Sequence, residues 1–356
     1  MTYRKMLLLI SLIIGMVGGG CGSSPEETRI DKLDEVGEES TSCGGGGQSC
    51  CANSVCNSGF GCVSNVCRAS TIADMNFARG ALAGALGHDN RIYAVGGFGV
   101  SGEVGPIESY NVVTNHWTVR ANIPIARSGL ASATGSDARI YAIGGTPTST
   151  AVEAFSPATN TWITRAKLLI GVEDLAAVAA GDGRIYAIGG FFGSGRTNAL
   201  QIYNPTTNVW VRGPDMPMPR SNHAAALGRN GIIYVVGGVG GGFETFAYNP
   251  TSQTWTTLAP MPDPVFNLAA AMGVDGLIYA FGGTWISTVG QSLVQAYNPA
   301  TNTWTIRARM PTARFGLAAV AGPDGLIYVM GGRYSYRDPI LKTVEAYDPR
   351  RNTWRR

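Results

Sequence analysis

Ile92-Tyr93-Ala94-Val95-Gly96-Gly97 decides how this chain is read, because the same pattern returns. Ile-Tyr-x-x-Gly-Gly begins again at Ile140, Ile185, Ile233, Ile278 and Ile327, a period of 45 to 50 residues. Downstream of each copy an aromatic is followed seven residues later by Trp. The pairs are Tyr110/Trp117, Phe155/Trp162, Tyr203/Trp210, Tyr248/Trp255, Tyr297/Trp304 and Tyr347/Trp354. Turn residues such as Asn204-Pro205-Thr206-Thr207-Asn208 separate the two members. Upstream lies an Ala/Gly-rich stretch, as in Leu130-Ala131-Ser132-Ala133, then a turn such as Asp182-Gly183 or Asp275-Gly276. Asp-Gly between apolar runs signals a hairpin. Each unit therefore reads as four short antiparallel strands: a small-sided strand A, a strand B ending in Gly-Gly, a strand C with the aromatic and a strand D with the Trp. A large ring at a fixed place in every unit suits the gap between neighbouring units, so the six Trp read as core.

The register adds a second layer. Thirteen residues before each motif Ile stand Arg79, Arg127, Val172, Arg220, Val265 and Arg314. From the second onward each is also ten after the preceding Trp, so the D–A–B path is fixed in length, as is C–D. Only the distance from Gly-Gly to the aromatic varies, at 13, 10, 13, 10, 14 and 15 residues. All length variation sits in the B–C loops, which share a face with the D–A connections in an up-and-down unit. Loops on a rigid scaffold are where binding is usually placed.

These motifs, in this order and at this period, resemble the Kelch repeat over about residues 68–356. The resemblance implies an all-β fold, a six-bladed Kelch-type β-propeller. It also implies Arg at the start of strand A near the channel mouth, where some members contact acidic partners.

The composition is consistent with a large folded body: 356 residues, 45% hydrophobic and 14% charged. Forty-nine Gly argue against a helical protein. The net charge of +3, with no basic run, gives no nucleic-acid signal. Three scattered His leave little for a metal centre, and no metal or cofactor is expected.

The front end reads as an address. Arg4 and Lys5 precede an apolar run from Met6 to Val17, too short to span a bilayer and suited to a signal peptide over 1–20. Gly18-Gly19-Gly20 before Cys21 resembles a bacterial lipobox, which implies lipidation of Cys21; Gly18 departs from the usual aliphatic residue, and an ordinary secretory signal is the competing reading. Gly22 after Cys21 is compatible with outer-membrane sorting of such lipoproteins. Either way the expected location is outside the cytosol: outer membrane or cell surface by a lipid anchor, otherwise periplasmic or secreted. Residues 21–42 carry seven acids and no aromatic, a solvated linker. Residues 43–67 hold Cys43, Cys50, Cys51, Cys56, Cys62 and Cys67, enough for three disulfides if Cys21 carries lipid. A metal site is the alternative, disfavoured by the spacings and by an oxidising compartment.

The candidate ligand residues are Arg79, Arg127, Arg220 and Arg314, with Glu173, Asp174, Asn222 and Asn267 beside them and Trp285, Tyr334 and Tyr336 in the B–C loops. Guanidinium suits bidentate capture of carboxylate; the competing reading is that these Arg satisfy loop carbonyls. Trp285 is the one Trp of seven outside the repeat position. His223 replaces a Leu found in the other five units and reads as a hydrogen-bonded core residue before a catalytic one. Two function classes follow. One is a monomeric extracytoplasmic binding or scaffold module for a protein or glycan. The other is a metal-independent carbohydrate enzyme of the sialic-acid mutarotase or epimerase kind; a copper oxidase of the galactose-oxidase type is excluded, since no Cys follows Cys67. Finally, Ala69-Ser70-Thr71-Ile72 stands in a D-like register and is expected to pair with the outer edge of blade six and latch the ring.

Overall fold

A computed structural model describes residues 60–63, 66–69, 71–240, 243–285 and 288–356, the first two stretches by their backbone alone. The expected signal peptide, the expected lipidation of Cys21, the acidic stretch read as a linker and Cys43, Cys50, Cys51 and Cys56 fall outside them. Cys62 and Cys67 are Cα partners in a small hairpin, Phe60–Val63 with Val66–Ala69.

Among the described residues there are six four-stranded antiparallel sheets, each a meander in the order A-B-C-D, and no helix. Blade one consists of Ala83–Leu86, Ile92–Val95, Pro106–Asn111 and His116–Asn122. Blades two to five run from Ala131–Thr134 to Thr161–Thr164, from Ala176–Ala179 to Val209–Arg212, from Ala224–Leu227 to Thr254–Pro260 and from Ala269–Met272 to Thr303–Ile306. Blade six is Ala318–Ala321, Ile327–Met330, Val344–Asp348 and Thr353–Arg355. Each strand A touches those of the two neighbouring blades, and blade six returns to blade one, so the ring is closed. Small residues make this crowding possible: a Cβ on Gly84 would come within 2.6 Å of Val320 in the adjoining blade.

The apolar core lies between blades. Strand B is buried along its whole length in every blade, and the clusters join residues of neighbouring sheets. The repeat residues perform the same tasks six times. Each strand C aromatic packs on its own Trp at 4.9–5.3 Å between centroids. Each Trp indole N–H donates to a carbonyl of the stretch leading in from the preceding blade: Ala73, Ala166, Pro214 and Ala308 in D–A linkers, Ala121 and Ala259 at the ends of strands D. The paired Gly turn the chain out of strand B with left-handed backbone, φ +59° and +92° at Gly96 and Gly97. A Cβ at Gly96 would sit 2.6 Å from the Arg127 carbonyl oxygen, so only Gly fits.

Ring closure differs from the expected strand pairing. Ala69 belongs to the small hairpin, and strand D of blade six is the edge of its sheet. Residues 71–79 instead act as the D–A linker between blade six and blade one. Met75 N–H donates to the Lys342 carbonyl of blade six, while Ala73 receives the Trp117 indole and donates to Asn115 Oδ1 in blade one.

Candidate functional site

The four strand-A arginines do not reach solvent. Arg79, Arg127, Arg220 and Arg314 are all 0% exposed. The expected ring of guanidinium groups around the mouth is therefore corrected: each is turned into its own blade. Arg79 pairs with Glu108 at 2.9 Å and donates to the Gly96 and Pro106 carbonyls. Arg127 pairs with Glu153 at 2.5 Å and donates to Gly144 and Ile125. Arg314 pairs with Glu345 at 2.9 Å and donates to Gly331 and Thr343. Arg220 donates to Gly237 and Glu244 carbonyls and lies 4.5 Å over the Phe246 ring. Burial pushes the Arg220 guanidinium down to about 10, still cationic at neutral pH.

The partner position explains the exceptions. It stands two residues before the strand C aromatic and reads Glu108, Glu153, Gln201, Phe246, Gln295 and Glu345. Where the strand-A residue is Val172 or Val265, the partner is Gln201 or Gln295, whose amides bond the backbone of Ile170 and Asp263. Glu108 serves the same linker, accepting from Asn76 and Phe77. Three blades bury an Arg with a Glu here, two carry neither charge, and blade four sets Arg220 against Phe246 and two carbonyls.

Two residues further along, one residue per blade forms the floor of the mouth: Ala81, Gly129, Asp174, Asn222, Asn267 and Gly316. All six have left-handed backbone, φ +48° to +64°. Each N–H donates to the carbonyl of its counterpart in the preceding blade at 2.7–2.9 Å, and Ala81 closes the circle onto Gly316. Asn and Asp tolerate this backbone best among residues with side chains, which accounts for three of the six. Their polar heads nonetheless line the mouth, with Asn222 donating to Asn267 Oδ1 at 2.7 Å. Burial holds the Asp174 carboxyl above its ordinary value, Asn222 opposes this, and Glu173 adds to it.

Above the floor opens a cavity of about 520 Å³, within the range of small-ligand sites. Bridges between D–A and B–C segments, such as Gly80 with Phe98, Ser221 with Val239 and Phe315 with Arg333, put both on this face, as the register predicted. Its walls are Phe98, Phe266, Phe315 and Tyr336. Its cations are Arg196, exposed in the blade-three B–C loop, and Arg333, half-buried in blade six on the opposite side of the ring. Arg333 stacks against Tyr336, Phe98 and Phe315 at 4.3, 4.8 and 5.5 Å.

Of the sequence candidates, Asp174, Asn222, Asn267 and Tyr336 meet at this mouth. Glu173 bridges Phe191 through its backbone, and Tyr334 is exposed; neither lines the cavity. Trp285 lines a different cavity. His223 is buried against Gly189 of the neighbouring blade, filling the Leu position as a core residue. Arg196, Arg333, Phe266 and Phe315 were missed. Their signal was positional: Arg333 directly follows Gly-Gly, and Phe266 and Phe315 directly follow the strand-A Arg/Val position.

Four segments, residues 79–124, 175–217, 267–311 and 314–356, match the model of the Kelch motif. They correspond to blades one, three, five and six. None of the curated proteins compared with the chain matches it. Among solved structures, one titled "Structure of YjhT" aligns with a TM-score of 0.67 over 80% of this chain and 98% of that one, at 15% identity. That likeness shows the fold alone.

Proposed function

Because the chain is a Kelch-motif β-propeller, we propose that it is an extracytoplasmic binding module whose axial mouth seats a carboxylate-bearing end of a protein or glycan. One observation carries the reading: Arg196 and Arg333, from opposite blades, share one aromatic-walled cavity over an amide and carboxyl floor. Guanidinium offers paired donors to a carboxylate, and aromatic walls give it a low-dielectric seat. Two guanidinium groups face one floor carboxyl, Asp174, so the lining keeps an excess of positive charge. The placement outside the cytosol is supported by the apolar run Met6–Val17 and by Cys21 as a lipid anchor. The anchor is the module's contact with the membrane, and the propeller acts as a monomer.

Thermal-shift and calorimetric titration with sialyllactose and an acidic peptide, beside lactose and a neutral peptide, tests this. The acidic probes are expected to raise the melting temperature, and Arg196→Ala/Arg333→Ala to abolish the rise. At a hundredfold excess over the dissociation constant a bound probe adds about 2.7 kcal/mol. Equal shifts in wild type and variant, or none with either acidic probe, refute it.

A second reading, a metal-independent sugar mutarotase or epimerase, rests on Asp174, a carboxyl at the cavity floor among amides, which burial shifts upward from its ordinary value. Faster anomer exchange by NMR, lost in Asp174→Asn, would favour it over simple binding.

A further inference from the structure

A second cavity of about 510 Å³ opens at blade five, lined by its B–C loop and the linkers on either side of it, and shares no lining residue with the mouth. One wall is the indole of Trp285, 38% exposed. Its ring is held by Phe243 of the blade-four loop, at 5.4 Å between centroids and 56° between planes. Behind it lies an apolar floor, Val265 and Leu293, both buried. The rim is polar: Asp263 and Arg309 are exposed and opposite in charge, and Gln291 adds an amide. Neither the Asp263 carboxylate nor the Arg309 guanidinium forms an ion pair or side-chain hydrogen bond among the described residues.

We propose that this cavity is a saccharide site that takes a neutral pyranose ring. An indole face carries the negative side of the aromatic quadrupole and attracts the polarised C–H face of a sugar. The equatorial hydroxyls of a ring stacked there point outward to the rim. Asp263 accepts from them, and Arg309 and Gln291 donate to them. An acceptor and a donor of opposite charge leave no net charge at the rim, which fits an uncharged polyol and gives an acidic sugar no advantage. A proline-containing peptide would use the indole but leave both charged groups without partners. The inference is independent of the acidic ligand assigned to the mouth.

The test uses the full chain with methyl β-glucoside, cellobiose, maltose and N,N′-diacetylchitobiose, followed by saturation-transfer NMR and Trp fluorescence. At least one is expected to bind. Trp285→Ala is expected to weaken it about tenfold or more, and Trp285→Phe to recover part of that loss. Asp263→Ala and Arg309→Ala, both at exposed rim positions, are expected to weaken it without lowering the melting temperature. Binding is expected to survive Arg196→Ala/Arg333→Ala, which separates this site from the mouth. Failure of all four probes to bind wild type overturns the proposal, as does undiminished binding to Trp285→Ala.

Discussion

Arg314 and Glu345 meet with both side chains fully buried. Removing one member strands the other's charge in a low-dielectric core, a change that typically costs about 3–5 kcal/mol. The chain itself indicates how to lose the pair harmlessly, since blades three and five carry Val and Gln at these positions. Glu345→Gln is thus expected to destabilise by about 3 kcal/mol, and Arg314→Val/Glu345→Gln to recover most of it. Urea denaturation of the three variants measures this; a double variant no better than the single would refute the pairing argument. His223 gives a pH prediction. Burial, then the Arg220 charge, pushes its imidazole down to about 3, against the backbone of Ile188. The folded state keeps it neutral while the unfolded chain protonates at its ordinary 6.5. Stability therefore falls as pH drops from 6.5 toward 3, by about 2 kcal/mol near pH 5. His223→Leu, the residue of the other blades, should flatten that slope in acid denaturation profiles; an unchanged slope would refute it. At this scale the sequence was half legible. The Arg register was visible, but a count of thirteen residues does not tell which way a side chain turns. The Glu two before the aromatic was the clue, because acid and Arg occur together in three blades and are absent together in two, with only Arg220 and Phe246 of blade four breaking the match.

The D–A linker is the element that joins blades. Each, with the end of the strand D before it, carries a carbonyl for the next Trp, and each holds a buried apolar residue such as Met75, Met216, Met261 or Met310. Residues 71–79 do this at the seam, where Met75 sits in the cluster shared by blades six and one. Met75→Ala is expected to cost about 2–4 kcal/mol and to lower the melting temperature of the whole ring. A loss confined to local fraying, seen as hydrogen exchange only near 71–79, would show that the segment is an ornament. The repeat made these linkers legible in length. The seam was not, because D-like spacing before Arg79 does not distinguish a strand from a linker, and hydrogen-bond partners decide that.

Across the whole molecule, six copies of one pattern carry the fold class, the blade number and the face that the B–C and D–A segments share, since each depends on periodicity. The mouth depends on side chains that break the period. Arg333 stands where other blades have Phe98, Thr146, Phe191, Val239 and Thr284, and asymmetry of that kind is invisible to a repeat. A closed backbone ring beneath those side chains makes the scaffold rigid, so ligand effects should stay local to the loops. Hydrogen-exchange footprinting with saturating sialyllactose or acidic peptide tests this central claim most directly. Protection is expected in the loops spanning 98–105, 191–197 and 333–338, with the A–B turns at 87–91 and 135–139 unchanged. Protection on those turns, or no footprint from either probe, would contradict the account.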